Sequence, residues 1–172
     1  ANYPKNLEEF EYSLLVSRES EKKALINRIK DSDQRFIVID SLETNDSEDL
    51  VNALNQKDKE IVEIASFTES VSSQDLFSDL MMADRSKDRT RKLSRRISRQ
   101  LASDTRVRDD IDSFFLSVRL RDARNLKPAL DYVSAKEFNI FILNSWRQDE
   151  AYEDPESDLG GTFNSDMPIM LP

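Results

Sequence analysis

The feature that most constrains the fold of this chain is where its glycines fall. Only two are present, Gly160 and Gly161, so the first 159 residues contain none. Tight β-hairpins need residues with positive φ, a backbone conformation that glycine adopts far more readily than other residues. A fold built from hairpins is therefore disfavoured, and the sequence predicts a protein in which helices dominate.

Two short apolar runs stand out from the helical character. Phe36–Ile39 (FIVI) is brief and mostly β-branched, which fits a buried strand better than a helix. Glu60–Phe67 (EIVEIASF) is the second strand candidate, and a helix over Leu50–Leu54 between them suggests a small βαβ unit. An antiparallel pair, or a helix at the second run, fits the pattern as well. The predicted fold class is α+β and predominantly helical, with a two-strand element at about 36–40 and 60–67 packed by helices and an extended C-terminal arm.

Two later apolar segments leave more than one interpretation open. Thr105–Arg121 forms one wide apolar face on a helical wheel, with Leu116 and Leu120 on the opposite side. This pattern predicts a helix buried on both sides or one that contacts another subunit. Glu137–Trp146 (EFNIFILNSW) fits either a buried strand or a last core helix. We therefore predict a single globular domain over residues 1–148, followed by a tail.

The charge of the chain is concentrated by region. Arg85–Arg108 carries 10 of the 25 basic residues against only Asp88 and Asp104, a net charge of +8. Residues 1–84 have a net charge of −10, residues 109–148 are neutral, and residues 149–172 have a net charge of −7. So acidic a remainder opposes the approach of a nucleic acid, whereas alternating acidic and basic surfaces suit contacts between protein subunits.

Residues 85–101 are predicted to form a basic amphipathic helix. On a helical wheel Leu93, Ile97 and Leu101 fall within roughly 80° of each other, and the basic residues occupy roughly the opposite 160°. Arginine outnumbers lysine, which favours paired hydrogen bonds with carboxylates or phosphates. The predicted contact residues on this helix are Arg91, Arg95, Arg96 and Arg99.

The basic helix allows several interpretations. It is a solvated face neutralised by acids of the same fold or of neighbouring subunits, a phosphate-binding surface for RNA or DNA, or a membrane-surface helix. The membrane interpretation is disfavoured because the apolar stripe is narrow and lacks Trp and Phe. The helix also contains RKLS and RRIS, in which Ser94 and Ser98 resemble the sites of arginine-directed kinases. A phosphate on either serine would weaken anion binding.

The tail, residues 149–172, has two parts. Asp149–Asp158 contains six acids and no base, a composition typical of disorder in isolation. The apolar residues that follow predict an extended arm in a groove of a partner, with docking on its own domain as the alternative. The predicted contact residues of the arm are Phe163, Met167, Ile169 and Leu171.

The composition excludes several kinds of chemistry. The chain has no cysteine and no histidine, so thiolate nucleophiles, imidazole bases and sites built on these ligands are not available. A Mg²⁺-dependent carboxylate enzyme would need Asp40 and Glu60 or Glu63 close enough to share one ion. No phosphate-binding glycine motif is present. We expect no cofactor, no enzymatic activity and no membrane segment.

The sequence therefore predicts a structural or adaptor subunit of a multi-protein assembly, with protein subunits, including copies of itself, as partners. An RNA- or DNA-binding accessory protein is the alternative, and the carboxylate enzyme comes third. A cytoplasmic location is expected. A virus or phage particle is one setting for such an assembly, by analogy with small cofactor-free subunits that carry docking arms.

Overall fold

Helices and parallel strands alternate along the chain. A computed structural model describes residues 18–41, 47–68, 70–98, 106–143 and 159–164. The helices in these ranges are α1 (Arg18–Arg28), α2 (Ser47–Asn55), α3 (Ser73–Leu80), α4 (Ala83–Ile97) and α5 (Leu120–Val133). The strands are β1 (Arg35–Ser41), β2 (Glu60–Phe67), β3 (Ser113–Ser117), β4 (Asn139–Ile142) and β5 (Thr162–Asn164).

The strands form one parallel sheet in the order β2-β1-β3-β4-β5. The register pairs Ile37 with Phe114, and Phe114 with Ile140. This is a doubly wound α/β fold with flavodoxin-like strand order. From β1 the chain moves outward to β2 and then crosses back to β3. Because parallel crossovers are right-handed, this reversal of direction places the connecting helices on opposite faces of the sheet.

Each face of the sheet has its own hydrophobic core. Phe36 and Val38 of β1 pack beneath α1 and α2 with Leu25, Leu50 and Leu54. The alternate residues of β1, Ile37 and Ile39, point the other way and pack beneath α3 and α5. The buried helical partners on that second face include Phe77, Leu80, Leu126 and Leu130. The two cores explain why the inner strands are apolar on both sides.

The prediction of a helix-dominated α+β fold with two strands is wrong, because the sheet has five strands. The two predicted strands are present, and they pair in parallel around α2. The predicted helix at 105–121 is wrong over β3, where all five residues are buried. Phe114, Phe115 and Leu116, which lie on both sides of the wheel, belong to a central strand covered on both faces. β4 resolves the open interpretation of 137–146, and β5 places part of the predicted arm in the sheet.

The scarcity of glycine agrees with this architecture. Parallel strands are joined by helices and need no tight hairpin. Positive φ occurs in the described residues at Asp58, Met82, Ser98 and Gly161. Scarce glycine disfavours hairpins, but it is compatible with a parallel α/β fold as well as with a helical one.

A salt bridge fixes the start of β3 against the start of β1. The Asp112 carboxylate accepts hydrogen bonds from the Arg35 guanidinium at 3.1 and 3.3 Å and from the backbone N–H groups of Gln34 and Arg35 at 3.2 and 3.0 Å. These bonds, those from the guanidinium first, lower the pKa of Asp112 below its usual value. The described helices include none that is long and apolar enough to cross a bilayer.

Candidate functional site

The basic helix α4 leaves the domain at a sharp change of direction after α3. Met82, between the two helices, has φ 55° and ψ 25°, a left-handed conformation that ends α3 and turns the chain. L-residues adopt this conformation at a cost of about 1 kcal/mol or more. The 15 residues of α4 then extend over about 22 Å. The basic segment is therefore a helical projection with a defined base.

Arg108 anchors that base. Its backbone N–H bonds the carbonyl oxygen of Met81 at 3.1 Å. Its side chain is only 10% exposed and donates to Asp110 at 2.7 Å through two nitrogens, to Glu63 at 3.0 Å and to the Leu80 carbonyl at 3.3 Å. The hydrogen bonds from Arg108 lower the pKa of Asp110. One guanidinium thus ties β2, the end of α3 and the segment before β3 together.

A second contact closes the projection onto itself. The backbone N–H of Arg106 bonds the Ser86 hydroxyl at 2.9 Å, although the two residues are 20 positions apart. Small polar residues recur every four positions along α4, and Ser86, Thr90 and Ser94 are each half-buried. The residues Ala83–Ile97 include one buried side chain, that of Ala83. Most of the helix surface is therefore open to a partner.

The apolar stripe of α4 is exposed. Leu93 is 46% exposed and Ile97 is 51% exposed. They are four residues apart and so lie together on one side of the helix. About half of each side chain is therefore open to solvent, and Leu101, the third member of the stripe, lies outside the described residues.

The charges of α4 are divided between two sides of the helix. On one side, Lys87 pairs with Asp84 at 3.3 Å and Arg91 pairs with Asp88 at 3.4 Å. The other side carries the residues we call the cation row: Arg85, Arg89, Lys92 and Arg96. Their spacing of four, three and four residues places them within roughly 60° of the helix circumference. The described carboxylates form no ion pair with the row.

The cation row borders a groove of about 400 Å³. Its described lining residues are the four members of the row, Asp88 and Leu93. Four cations within about 16 Å along the helix repel one another at low ionic strength. A ligand with several negative charges would relieve that repulsion. Leu93 adds an apolar contact at the edge of the same groove.

The structure places the predicted contact residues in different settings. Arg91, Arg95 and Arg96 are exposed on α4, but Arg91 has a carboxylate partner and only Arg96 belongs to the cation row. Phe163 is half-buried in β5 and stacks on Phe141 of its own chain, with 5.0 Å between ring centroids. The remaining predicted contact residues lie outside the described ones: Arg99, Met167, Ile169 and Leu171.

Three members of the cation row, Arg85, Arg89 and Lys92, and the anchor Arg108 are not among the contact residues that the sequence predicts. Pairing each aspartate of α4 with the cation three residues later would have separated them from the neutralised side. Arg108 gave no such signal, because its partner Glu63 is distant in sequence.

A second candidate ligand site is the crevice at the carboxyl ends of β1 and β3, because doubly wound folds bind ligands there. Asp40 and Ser117 are neighbours there, and both are buried. Glu63, however, pairs with Ile37 in the register, three residues from the level of Asp40, or about 10 Å along the strand. Asp40 and Glu63 are therefore too far apart to share one Mg²⁺ ion, as the third alternative would require. Across the described ranges, no three acidic side chains cluster as metal ligands would.

No protein-family model matches the chain, and no curated protein matches it.

Proposed function

We propose that this protein is a non-enzymatic docking subunit of a multi-protein assembly and that α4 binds an acidic surface of a protein partner. The observation that carries the proposal is the cation row, with which no described carboxylate forms an ion pair, beside a half-exposed aliphatic pair. The partner we propose is an acidic amphipathic helix that lies along α4. Its carboxylates would face the row and its apolar residues would cover Leu93 and Ile97.

The aliphatic pair favours a protein over a nucleic acid. Leu93 and Ile97 are about half exposed, so covering them would contribute on the order of 1 kcal/mol each. A phosphate backbone offers no apolar surface for that purpose, whereas an amphipathic helix does.

RNA or DNA binding is the second candidate, and the spacing of the cation row supports it. Neighbouring members are three or four residues apart, or about 4.5–6 Å along α4, a separation that also suits successive phosphates. In this case the aliphatic pair would contribute nothing. The two candidates therefore differ in whether Leu93 is required.

A synthetic helical peptide provides the test. The probe is a fluorescein-labelled 22-residue peptide with glutamates at positions i, i+4, i+7 and i+11 and leucines along one flank. Its affinity for the full chain is measured by anisotropy, in parallel with a labelled 20-base-pair DNA duplex and a single-stranded RNA. We expect the peptide to bind, and Arg89→Glu/Arg96→Glu to weaken it at least tenfold, or about 1.4 kcal/mol.

The matched control reverses two cations on another helix. Lys23→Glu/Arg28→Glu on α1 makes the same change in net charge at exposed positions and should leave peptide binding unchanged. Leu93→Ser/Ile97→Ser should weaken the peptide several-fold and leave duplex binding unaffected. The docking proposal would be overturned if the peptide does not bind, or if only the nucleic acids bind and the serine variant has no effect.

The partner includes a second copy of the chain in this proposal, since its surface is acidic outside the basic segment. Sedimentation equilibrium over a hundredfold range of concentration tests this version, and self-association must disappear in Arg89→Glu/Arg96→Glu. The proposed location is the cytoplasm, with incorporation into a virus particle as one setting.

A further inference from the structure

Two serines of the basic segment each follow two basic residues at the same spacing, but only one of them lies within α4. Ser94 follows Arg91 and Lys92 in RKLS, and Ser98 follows Arg95 and Arg96 in RRIS. Ser94 is half-buried and lies within the helix, one turn before its end. Ser98 is exposed, at the point where the helix ends.

The backbone of Ser98 has already left the helical conformation. Its φ of 51° and ψ of 31° are left-handed, and its N–H bonds the carbonyl of Ser94. Arg95 and Arg96 lie in the last turn, and both side chains are exposed. A protein kinase binds its substrate as an extended chain, so Ser98 requires only the last turn of α4, which carries Arg95 and Arg96, to unwind. Ser94 lies one turn further into α4 and requires more of the helix to open.

We infer that Ser98 is a phosphorylation site for an arginine-directed serine kinase. In the reaction the Ser98 hydroxyl oxygen forms a bond to the γ-phosphorus of ATP and loses its proton to the kinase base. The bond between that phosphorus and the β,γ-bridging oxygen breaks, and ADP leaves. Arg95 and Arg96 supply the two positive charges that such a kinase recognises three and two positions before the serine.

The consequence rests on the proposed docking function of α4. A phosphoserine adds about −1.5 to −2 charge at pH 7. At Ser98 this charge lies at the C-terminal end of α4, where the helix dipole disfavours it, and two residues after Arg96 of the cation row. It would therefore compete with the carboxylates of a partner for the end of the row. Phosphorylation would act as a release signal.

The experiment uses the full chain, ATP-Mg²⁺ and the catalytic subunit of an arginine-directed serine kinase, with a standard RRxS peptide confirming that the kinase is active. Intact mass and fragment spectra give the stoichiometry and the site. We expect close to one phosphate per chain at Ser98, at least a tenfold loss of incorporation in Ser98→Ala, and no loss in Ser94→Ala. An unmodified chain beside an active kinase, or a phosphate mainly on Ser94, overturns the inference.

A second measurement separates this inference from the docking proposal. The phosphorylated and unmodified chains are titrated with the acidic peptide described above, and we expect at least fivefold weaker binding after phosphorylation. If Ser98 is phosphorylated but the affinity for the peptide does not change, the role as a release signal is overturned and the phosphorylation site itself stands. An unmodified chain that does not bind the peptide would overturn the docking function, while the phosphorylation result would stand independently.

Discussion

Removing the Arg108 guanidinium should destabilise the whole domain, although the residue belongs to the basic segment by sequence. Its two carboxylate partners are nearly half exposed, at 48% for Asp110 and 45% for Glu63. Each pair therefore contributes like a surface ion pair, about 0.5–1 kcal/mol. The bond to the Leu80 carbonyl adds about 1 kcal/mol. We expect Arg108→Met, which keeps an unbranched apolar stem, to lower the free energy of unfolding by about 2 kcal/mol.

Arg108→Ala should cost more, because it also removes the buried methylene groups of the stem. At about 0.8 kcal/mol per buried methylene, the total loss should approach about 4 kcal/mol. Urea unfolding at pH 7 measures both variants, and a loss of about 2 kcal/mol corresponds to a decrease in Tm of roughly 4–8 °C for a domain of this size. Arg89→Met on the exposed cation row is the matched control and should change stability by less than about 0.5 kcal/mol.

If the free energy of unfolding of both Arg108 variants lies within about 0.5 kcal/mol of the wild-type value, Arg108 does not stabilise the domain as described. In that event water would satisfy the two carboxylates and the carbonyl as well as the guanidinium does. Equal losses in the two variants would instead show that the stem is not packed as its burial implies. Hydrogen exchange adds a local test, since amides of α4 should exchange faster in Arg108→Met while those of α5 change little.

Three further predictions concern stability. Asp58→Gly should stabilise the fold by about 0.5 kcal/mol in urea unfolding, because Asp58 is exposed with φ 55° and glycine adopts that conformation without strain. A loss of stability would contradict this prediction. Ser113→Ala should leave stability unchanged or raise it by up to about 1 kcal/mol, since the Ser113 hydroxyl is buried without a described hydrogen-bond partner. Phe114→Ala, at the neighbouring buried position, should lower stability by about 3–5 kcal/mol. The pKa values of Asp110 and Asp112 are lowered in the folded state. The free energy by which the two carboxylates stabilise the fold is therefore complete above their pKa in the unfolded chain, about 3.9, and is lost as pH falls through their lower pKa values in the folded protein. Stability should therefore decrease below about pH 4, and less steeply in Asp112→Asn; equal slopes in the two proteins would contradict the assignment.

Local patterns in the sequence predict some elements of this fold and not others. β1 and β2 follow from short β-branched runs, and α4 follows from its helical wheel. β3 has no usable periodicity, because a strand buried on both faces carries apolar residues at successive positions. β5 has three residues and follows an acidic segment, so only its pairing with β4 identifies it. The number of strands, and with it the fold class, depends on pairing between distant segments.

The candidate site shows a similar division. The amphipathic character of α4 and its excess of arginine are properties of the sequence. Which cations remain available depends on Asp84 and Asp88, and the spacing of three residues to their partners could have indicated it. The exposure of Leu93 and Ile97 could not be predicted, because an apolar stripe normally packs on its own domain. The role of Arg108 depends on a fold that brings β2 and the end of α3 together.

The contact between Ser86 and Arg106 has a topological consequence. The chain leaves the domain and returns to it at nearly the same point, with a hydroxyl-to-amide distance of 2.9 Å closing the excursion. Segments whose ends meet in this way can be lengthened, shortened or exchanged with little effect on the remainder of a fold. The crossover from β2 to β3 has α3 to cover the sheet without help from the excursion. We therefore expect the basic helix to behave as a separable module, which a short turn could replace or which could be transplanted to another parallel α/β domain.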